Sequence, residues 1–163
     1  VARRLNGAIA LITTNKTARN SGTSLSETEF NDIMQGIYDS GTDISVDKAF
    51  TGAALKRVIS GYTAGSTKFT RAEGDKLYNT FSVYESDFGV VTVYLEREVP
   101  TTAGNKGILL VDSSKWRVAY LTDGRPQHIP LSTVGSAKRG MLEGELTLEA
   151  LNEKSSAYRA GYI

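Results

Sequence analysis

The chain has 163 residues, of which 40% are hydrophobic and 23% are charged, which is enough for one globular domain with a buried core. Nineteen basic and eighteen acidic residues give a net charge of +1, which argues against a dedicated nucleic-acid-binding protein. Because the chain has no cysteine, disulfides, a thiolate nucleophile and Cys-based zinc sites are excluded. No apolar run approaches the ~20 residues of a membrane-spanning helix.

The first segment, residues 2–12, is predicted to be helical because apolar side chains recur at helical spacing. One helical face would carry Leu5, Ala8, Ile9 and Ile12. The chain begins with Val1 and no capping residue precedes the apolar pattern, so we expect the end of a longer helix in a processed or fragmentary chain. A complete short N-terminal helix is the alternative. Residues 13–23 are polar and are predicted to form a loop.

The clearest local signal is a helix start at Ser26. Ser26 and Glu29 have the S-x-x-E spacing of a capping box, and Leu25 and Phe30 have the spacing of a hydrophobic staple. The apolar residues that follow share one face: Phe30, Ile33, Met34, Ile37 and Tyr38. The pattern predicts a helix over 27–40 that packs this face on a sheet and ends at a left-handed Gly41.

A second helix is predicted over 50–60, ending at Gly61. Its apolar stripe consists of Leu55, Val58 and Ile59, while Lys56 and Arg57 would face outward. Gly52 weakens this helix by roughly 1 kcal/mol relative to alanine. Residues 62–79 contain few apolar side chains and are predicted to form a surface loop.

The run from Thr80 to Pro100 predicts a β-hairpin. Apolar and polar residues alternate in both arms, and Ser86-Asp87-Phe88-Gly89 between them has turn composition. Shorter elements are predicted after it: a loop over 101–106, a strand over 108–111, a turn over 112–115, a strand over 116–121 and a turn at Asp123-Gly124. Pro126 and Pro130 are expected to exclude regular structure nearby.

The longest predicted strand covers residues 139–150. One face carries Leu142, Gly144, Leu146, Leu148 and Ala150, and the other carries Arg139, Met141, Glu143, Glu145, Thr147 and Glu149. We expect a paired interior strand, because an apolar edge of this length invites aggregation. The glutamates would then face solvent or basic side chains of a neighbour.

No motif typical of catalysis or of metal binding stands out. His128 is the only histidine and lies in a predicted loop between two prolines, which favours a structural or exposed side chain over a catalytic one. The carboxylates of Glu143, Glu145 and Glu149 could serve acid–base chemistry, but a solvated strand face explains their spacing better. Nucleotide-binding and calcium-loop motifs are absent. We therefore predict no catalytic residues, no cofactor and no metal site.

Basic and aromatic residues give weaker signals. The basic pairs Arg3-Arg4, Lys56-Arg57 and Lys138-Arg139 are typical of solvated surfaces, although they could also contact phosphate. The aromatic residues in the predicted strands are interpreted as sheet packing rather than as a base-stacking platform: Tyr84, Tyr94, Trp116 and Tyr120.

The hairpin also resembles one family, the major capsid proteins of tailed bacteriophages in the SU-ten-type branch of the Hong Kong 97-like fold. The matching positions are Tyr84, Asp87, Phe88, Gly89, Arg97 and Pro100. Further stretches resemble the same branch: residues 3–15 the end of its spine helix, 24–41 its first axial-domain helix, 115–121 a later strand, and 137–163 its closing strand and tail. In that last stretch the matching residues are Lys138, Arg139, Glu145, Thr147, Leu148, Asn152 and Gly161. The resemblance implies that the N-terminal arm, the extended loop and most of the spine helix of such proteins lie outside this sequence.

The resemblance implies an α+β fold, with an axial-type domain of mixed or antiparallel sheet and flanking helices plus part of the peripheral domain. It implies three parts: residues 1–14 as the end of the spine helix, 15–135 as the axial-type domain, and 136–163 as the closing strand and tail. The implied function is that of a structural subunit of an icosahedral capsid, not an enzyme.

The implied partners are copies of the same chain in pentamers and hexamers, other virion proteins and packaged DNA held by non-specific charge contacts, with no membrane partner. The implied locations are the virion and, during assembly, the host cytoplasm. The alternatives are a different virion or adhesin β-rich binding domain and a carboxylate-based hydrolase.

Overall fold

The structure, a computed structural model, describes residues 5–41, 45–62, 83–102, 105–121 and 124–163, with backbone only for 18–22 and 133–134. Three helices lie in these ranges: α1 (Ala8–Leu11), α2 (Glu27–Asp39) and α3 (Ala53–Ser60). Ten strands lie in them: β1 (Lys16–Thr23), β2 (Lys48–Thr51), β3 (Val83–Ser86), β4 (Gly89–Leu95), β5 (Lys106–Val111), β6 (Trp116–Tyr120), β7 (Gln127–Val134), β8 (Ala137–Glu143), β9 (Leu146–Ala150) and β10 (Ala157–Tyr162).

Six strands form one mixed sheet in the order β1-β10-β5-β2-β4-β3. The pairs β1–β10 and β2–β4 are parallel, and the other three pairs are antiparallel. The strands after β5 leave this sheet as two separate pairs, β6–β9 and β7–β8, before β10 returns to it. The fold is therefore α+β with a mixed sheet, as predicted.

The main core lies between the large sheet and the two longer helices. From α2 it contains Phe30, Ile33, Met34 and Ile37, as the helical pattern predicted. Side chains of the sheet face them, among them Ala49, Val91, Val93, Leu110 and Ala157. Ser26 caps α2 by accepting a hydrogen bond from the Glu29 N–H (3.2 Å), and Gly41 follows the C-cap residue Ser40. Tyr38 differs from the prediction, because it is 64% exposed.

Residues 13–23 are not the predicted loop, because β1 begins at Lys16 and pairs in parallel with β10. The prediction failed because the segment has few apolar residues and lies at the sheet edge, where backbone hydrogen bonds to a single neighbour hold the strand. The Tyr158 N–H donates to the Asn15 carbonyl (3.0 Å) at the start of this pairing.

The predicted helix over 50–60 is shorter than expected and follows a strand. Residues 48–51 form β2 between β4 and β5, and Gly52 is the N-cap of α3. The strand was missed because four residues are too few to show a period-2 pattern. Leu55 and Ile59 are buried, as the stripe predicted.

The predicted hairpin is confirmed as β3 and β4, which pair in register from Ser86–Gly89 to Val83–Thr92. Gly89 has φ +128°, a backbone conformation that glycine adopts without the steric cost of a Cβ. The arm residues 80–82, the predicted loop from residue 63 onward, Asp123, and the pair Arg3-Arg4 lie outside the described residues.

A smaller core lies on the other side of the sheet, where α1 packs. Its buried members are Ile12, Tyr158 and Ala160, with Ile9, Leu109 and Trp116 packed against them. The predicted helix over 2–12 begins only at Ala8, because Gly7 is extended (φ −76°, ψ 163°) and Leu5 is exposed. Glycine is a poor helix former, which accounts for the late start.

The predicted continuous strand over 139–150 is wrong, because the chain forms β8 and β9 in different strand pairs. At the break the Glu145 N–H donates to the Gly124 carbonyl (2.7 Å), and Gly144 lies against Pro126, where an added Cβ would be 3.1 Å from the proline Cα. Six residues separate β6, which ends at Tyr120, from β7, which begins at Gln127. On the partner side only two residues separate β8, which ends at Glu143, from β9, which begins at Leu146. Such an unequal count interrupts the ladder.

The expected interior position of this segment is also wrong. Together the four strands form a two-stranded ribbon, residues 116–150, whose turn lies at Gly135 (φ +68°) and Ser136. Leu142 is 82% exposed and Leu146 is 48% exposed. Pro130 lies within β7, contrary to prediction, which a two-stranded ribbon permits because each strand has one edge without a hydrogen-bonding neighbour.

Candidate functional site

The predicted carboxylate row does not form a catalytic cluster. Glu149 on β9 accepts hydrogen bonds from Arg117 on β6 (2.7 and 3.3 Å), and these bonds lower the pKa of its carboxyl group. Glu143 ends β8 opposite Gln127, and Glu145 lies in the break between the two strand pairs. The break thus separates the three residues, and the hydrolase alternative gains no support from their geometry.

His128 lies on β7 rather than in a loop, and it is exposed. Its ring covers Gly140 on β8, where an added Cβ would lie 2.0 Å from the histidine Nε2. Within the described ranges, no three His, Asp or Glu side chains gather as a metal site would require. No helix in these ranges is long and apolar enough to cross a membrane.

The aromatic residues divide between packing and exposure. The Tyr84 ring meets Phe30 edge-on (4.9 Å between centroids), and its hydroxyl lies within hydrogen-bond distance of Glu27 and Asn31. Trp116 donates its indole N–H to the Ser156 hydroxyl (2.8 Å). Tyr94 and Tyr120 are each more than two-fifths exposed, but Tyr94 still packs within the sheet by stacking on Phe50.

Two of the three basic pairs, Lys56-Arg57 and Lys138-Arg139, lie within the described residues. Arg57, Lys138 and Arg139 are exposed. Lys56 instead donates from α3 to the Val93 carbonyl on β4 (2.7 Å), and burial lowers the pKa of its ammonium group.

The most unusual surface is one face of the pair β6–β9. In this register Val118 lies opposite Leu148 and Tyr120 lies opposite Leu146, and paired residues of antiparallel strands point to the same face. The face is anchored at Trp116, which packs on the small core beside Ile9. Beyond this anchor Val118, Tyr120 and Leu146 are about half exposed. We call this surface the ribbon face.

A second uncovered surface lies on the large sheet, opposite α2 and α3. Phe50 and Tyr94 stack there (5.6 Å between centroids, 24° between planes). Val83 and Val90 on the same face are each just over half exposed. Sequence reasoning missed both surfaces, since alternation predicts an apolar face without saying whether another element covers it.

The segment between α1 and β1 is fastened to the C-terminal part of the chain. The Glu153 carboxylate accepts hydrogen bonds from the Thr13 N–H (2.9 Å), the Thr14 N–H (3.0 Å) and the Thr14 hydroxyl. Partial burial acts to raise the pKa of this carboxyl group, but the donors outweigh burial and hold the pKa at about 2. Asn15 adds a bond from its side chain to the Lys154 carbonyl (2.9 Å). These contacts fix α1 relative to the sheet.

The described part of the chain therefore offers uncovered apolar surfaces and no cluster of groups suited to catalysis. Apolar surfaces of this kind mark protein–protein contact sites in soluble proteins. No described residue of the two-stranded ribbon belongs to the main core, and its described side chains are exposed or only partly buried.

The structure can be compared with solved structures of other proteins. It matches the encapsulin of the holo-SrpI encapsulin complex from Synechococcus elongatus PCC 7942 with a TM-score of 0.59 and 10% sequence identity. The match covers 94% of this chain and 55% of the encapsulin, so the chain spans about half the length of that protein. The likeness shows a shared fold, which is the Hong Kong 97-like fold predicted from the sequence.

The sequence itself can be compared with proteins and families. No curated protein matches it. The sequence model described as SU10 major capsid protein matches residues 1–161, nearly the whole chain. That extent confirms the resemblance first noticed in the β3–β4 hairpin: the chain belongs to the SU10 major capsid protein family.

Proposed function

We propose that the chain is part of the structural subunit of an icosahedral bacteriophage capsid, which assembles with copies of itself around packaged DNA. The observation that carries the proposal is the ribbon face, an apolar surface left uncovered in a chain of a major capsid protein family. Burial of such a surface against another subunit is favourable at about 25 cal/mol per Å² of apolar area. The role is structural rather than enzymatic.

The proposal divides the chain into three structural parts. Residues 1–14 would form the end of a spine helix, 15–135 an axial-type domain, and 136–163 a closing strand and tail. The pairing of β7 with β8 across residues 135 and 136, and the place of β10 in the large sheet, tie the second and third parts together.

The proposed partners and locations follow from the same role. Copies of the chain would associate in pentamers and hexamers, other virion proteins would bind the shell, and packaged DNA would meet dispersed basic side chains without sequence specificity. The chain would be found in the virion and, during assembly, in the host cytoplasm.

The experiment is expression of the complete coding sequence that contains this chain, followed by sedimentation velocity and negative-stain electron microscopy. We expect fast-sedimenting particles that appear as closed shells of uniform diameter. Soluble protein that sediments only as monomers or small oligomers, under conditions where the fold is intact by circular dichroism, would contradict the proposal.

A further inference from the structure

The outer edge of β6 has no strand beside it among the described residues. β6 pairs with β9 on one side only. A groove of about 730 Å³ is lined by residues 117–121, by residues 125–127 and by Glu149 of β9. The free edge of β6 next to these residues can accept an added strand, because it supplies unpaired backbone N–H and C=O groups.

The groove carries two arginines and one carboxylate. Arg117 is paired with Glu149 at 2.7 Å. Arg125 has no carboxylate partner among the described residues, and its guanidinium lies 5.8 Å from the centre of the Tyr120 ring. The groove therefore has an excess of positive charge and a half-exposed aromatic ring, and it fits an extended segment that carries acidic and apolar side chains.

The same chain displays such a segment at one edge of the large sheet. β3 is the last strand of that sheet and pairs only with β4 among the described residues. Glu85 and Val83 are both exposed on it, and Asp87 is exposed in the turn that follows. Neither carboxylate forms an ion pair with a described basic residue. The two free edges are thus opposite in charge.

The two edges also lie apart within one molecule. The base of the ribbon packs near Leu109 on β5, and β3 lies three strands beyond β5 in the large sheet, which is about 14 Å at the usual strand spacing. One copy can therefore use both edges with different neighbours. A contact between two different surfaces of identical copies repeats head to tail and closes into a ring when the rotation allows.

Resting on the proposed capsid function, we propose that β3 of one copy adds to the free edge of β6 in the next copy. Backbone hydrogen bonds hold the strands together, while Glu85 meets Arg125 and Asp87 meets Arg117. The contact is short, with four residues on one side and five on the other, so it is weak for an isolated pair and gains strength from repetition around a ring.

Charge reversal at the two edges tests the proposal. Association of the chain is measured by sedimentation equilibrium for the wild type, Arg125→Glu, Glu85→Arg and the variant with both changes. Each single reversal places like charges together and should weaken association roughly tenfold, whereas the double variant restores opposite charges and should recover to within about threefold of wild type. Arg57→Glu on α3 and Glu98→Arg, both exposed, are matched controls that should leave association unchanged.

Two outcomes would overturn the proposal. One is a chain that remains monomeric at about 1 mM, a concentration at which a contact with a dissociation constant of about 1 mM would already form substantial dimer. The other is single reversals that behave like the controls, or a double variant no better than either single one. The same substitutions in the complete coding sequence separate the two hypotheses: normal shells from both single variants would reject this contact and leave the proposed function standing, whereas absence of shells in the wild type would reject the function itself.

Discussion

Truncation of Phe30 to alanine tests how α2 is held on the sheet. The Phe30 side chain is fully buried, and its ring contacts Tyr84 at 4.9 Å and Tyr62 at 6.4 Å between centroids. Truncation of a buried phenylalanine costs about 3–5 kcal/mol, because apolar burial is lost and a cavity remains. The two ring contacts are lost as well, so we expect about 4 kcal/mol, a large part of the 5–15 kcal/mol that typically stabilises a domain.

The assay is urea unfolding followed by far-UV circular dichroism at equal protein concentration. Tyr38→Ala on the same helix is the matched control, because that side chain is 64% exposed and its truncation should cost less than about 1 kcal/mol. A cost below about 1 kcal/mol for Phe30→Ala, or equal costs for the two variants, would refute the packing of α2 described here.

The remaining predictions concern the cap, the Glu153 junction and the ribbon. Ser26→Ala should lower the free energy of unfolding by about 1 kcal/mol, because the Glu29 N–H loses its acceptor; no change in a urea midpoint would contradict the cap. The folded-state pKa of Glu153, about 2, lies below its ordinary value, so its stabilising contribution is complete above about pH 4.5 and is lost as the pH falls toward 2. Solvent screening reduces this contribution to about 1 kcal/mol, and Glu153→Gln should remove that part of the pH dependence in acid unfolding curves; identical curves would speak against it. Leu142→Ser should change the free energy of unfolding by less than about 0.5 kcal/mol, because the side chain is 82% exposed; unfolding at a much lower urea concentration would show that the ribbon is covered in solution.

Elements set by local chemistry were predictable from the sequence. The cap at Ser26, the staple at Leu25 and Phe30 and the apolar face of α2 all involve residues within about one or two helical turns of each other. The β3–β4 hairpin was likewise predictable, because two alternating arms flank a turn that ends at Gly89. In both cases the residues that determine the structure are close in sequence.

Elements set by distant partners were not predictable. β1 has little apolar character of its own and exists because β10, more than a hundred residues later, pairs with it. The break between β8 and β9 depends on the contact of Gly144 with Pro126 and on the hydrogen bond from Glu145 to Gly124. Alternation in residues 139–150 is real, but it cannot show that the partner strand has an irregular stretch opposite residues 144 and 145.

The candidate site shows the same limit. The sequence predicted that Glu149 faces solvent or basic side chains of a neighbour, whereas Glu149 pairs with Arg117 of its own chain. It did not show that the apolar side of the same strands would be left uncovered, because exposure depends on what packs above a sheet. The family resemblance was visible earlier because it rests on the order of short patterns along the chain, which the family match over residues 1–161 confirmed.

The most direct test of the central claim is a cryo-electron microscopy reconstruction of particles formed by the complete coding sequence that contains this chain. The account predicts closed icosahedral shells in whose repeating unit the six-stranded sheet and the ribbon of residues 116–150 fit the density, with the ribbon face buried against protein. Particles without icosahedral order, or shells in which the side chains of Val118, Tyr120 and Leu146 face open solvent, would contradict it.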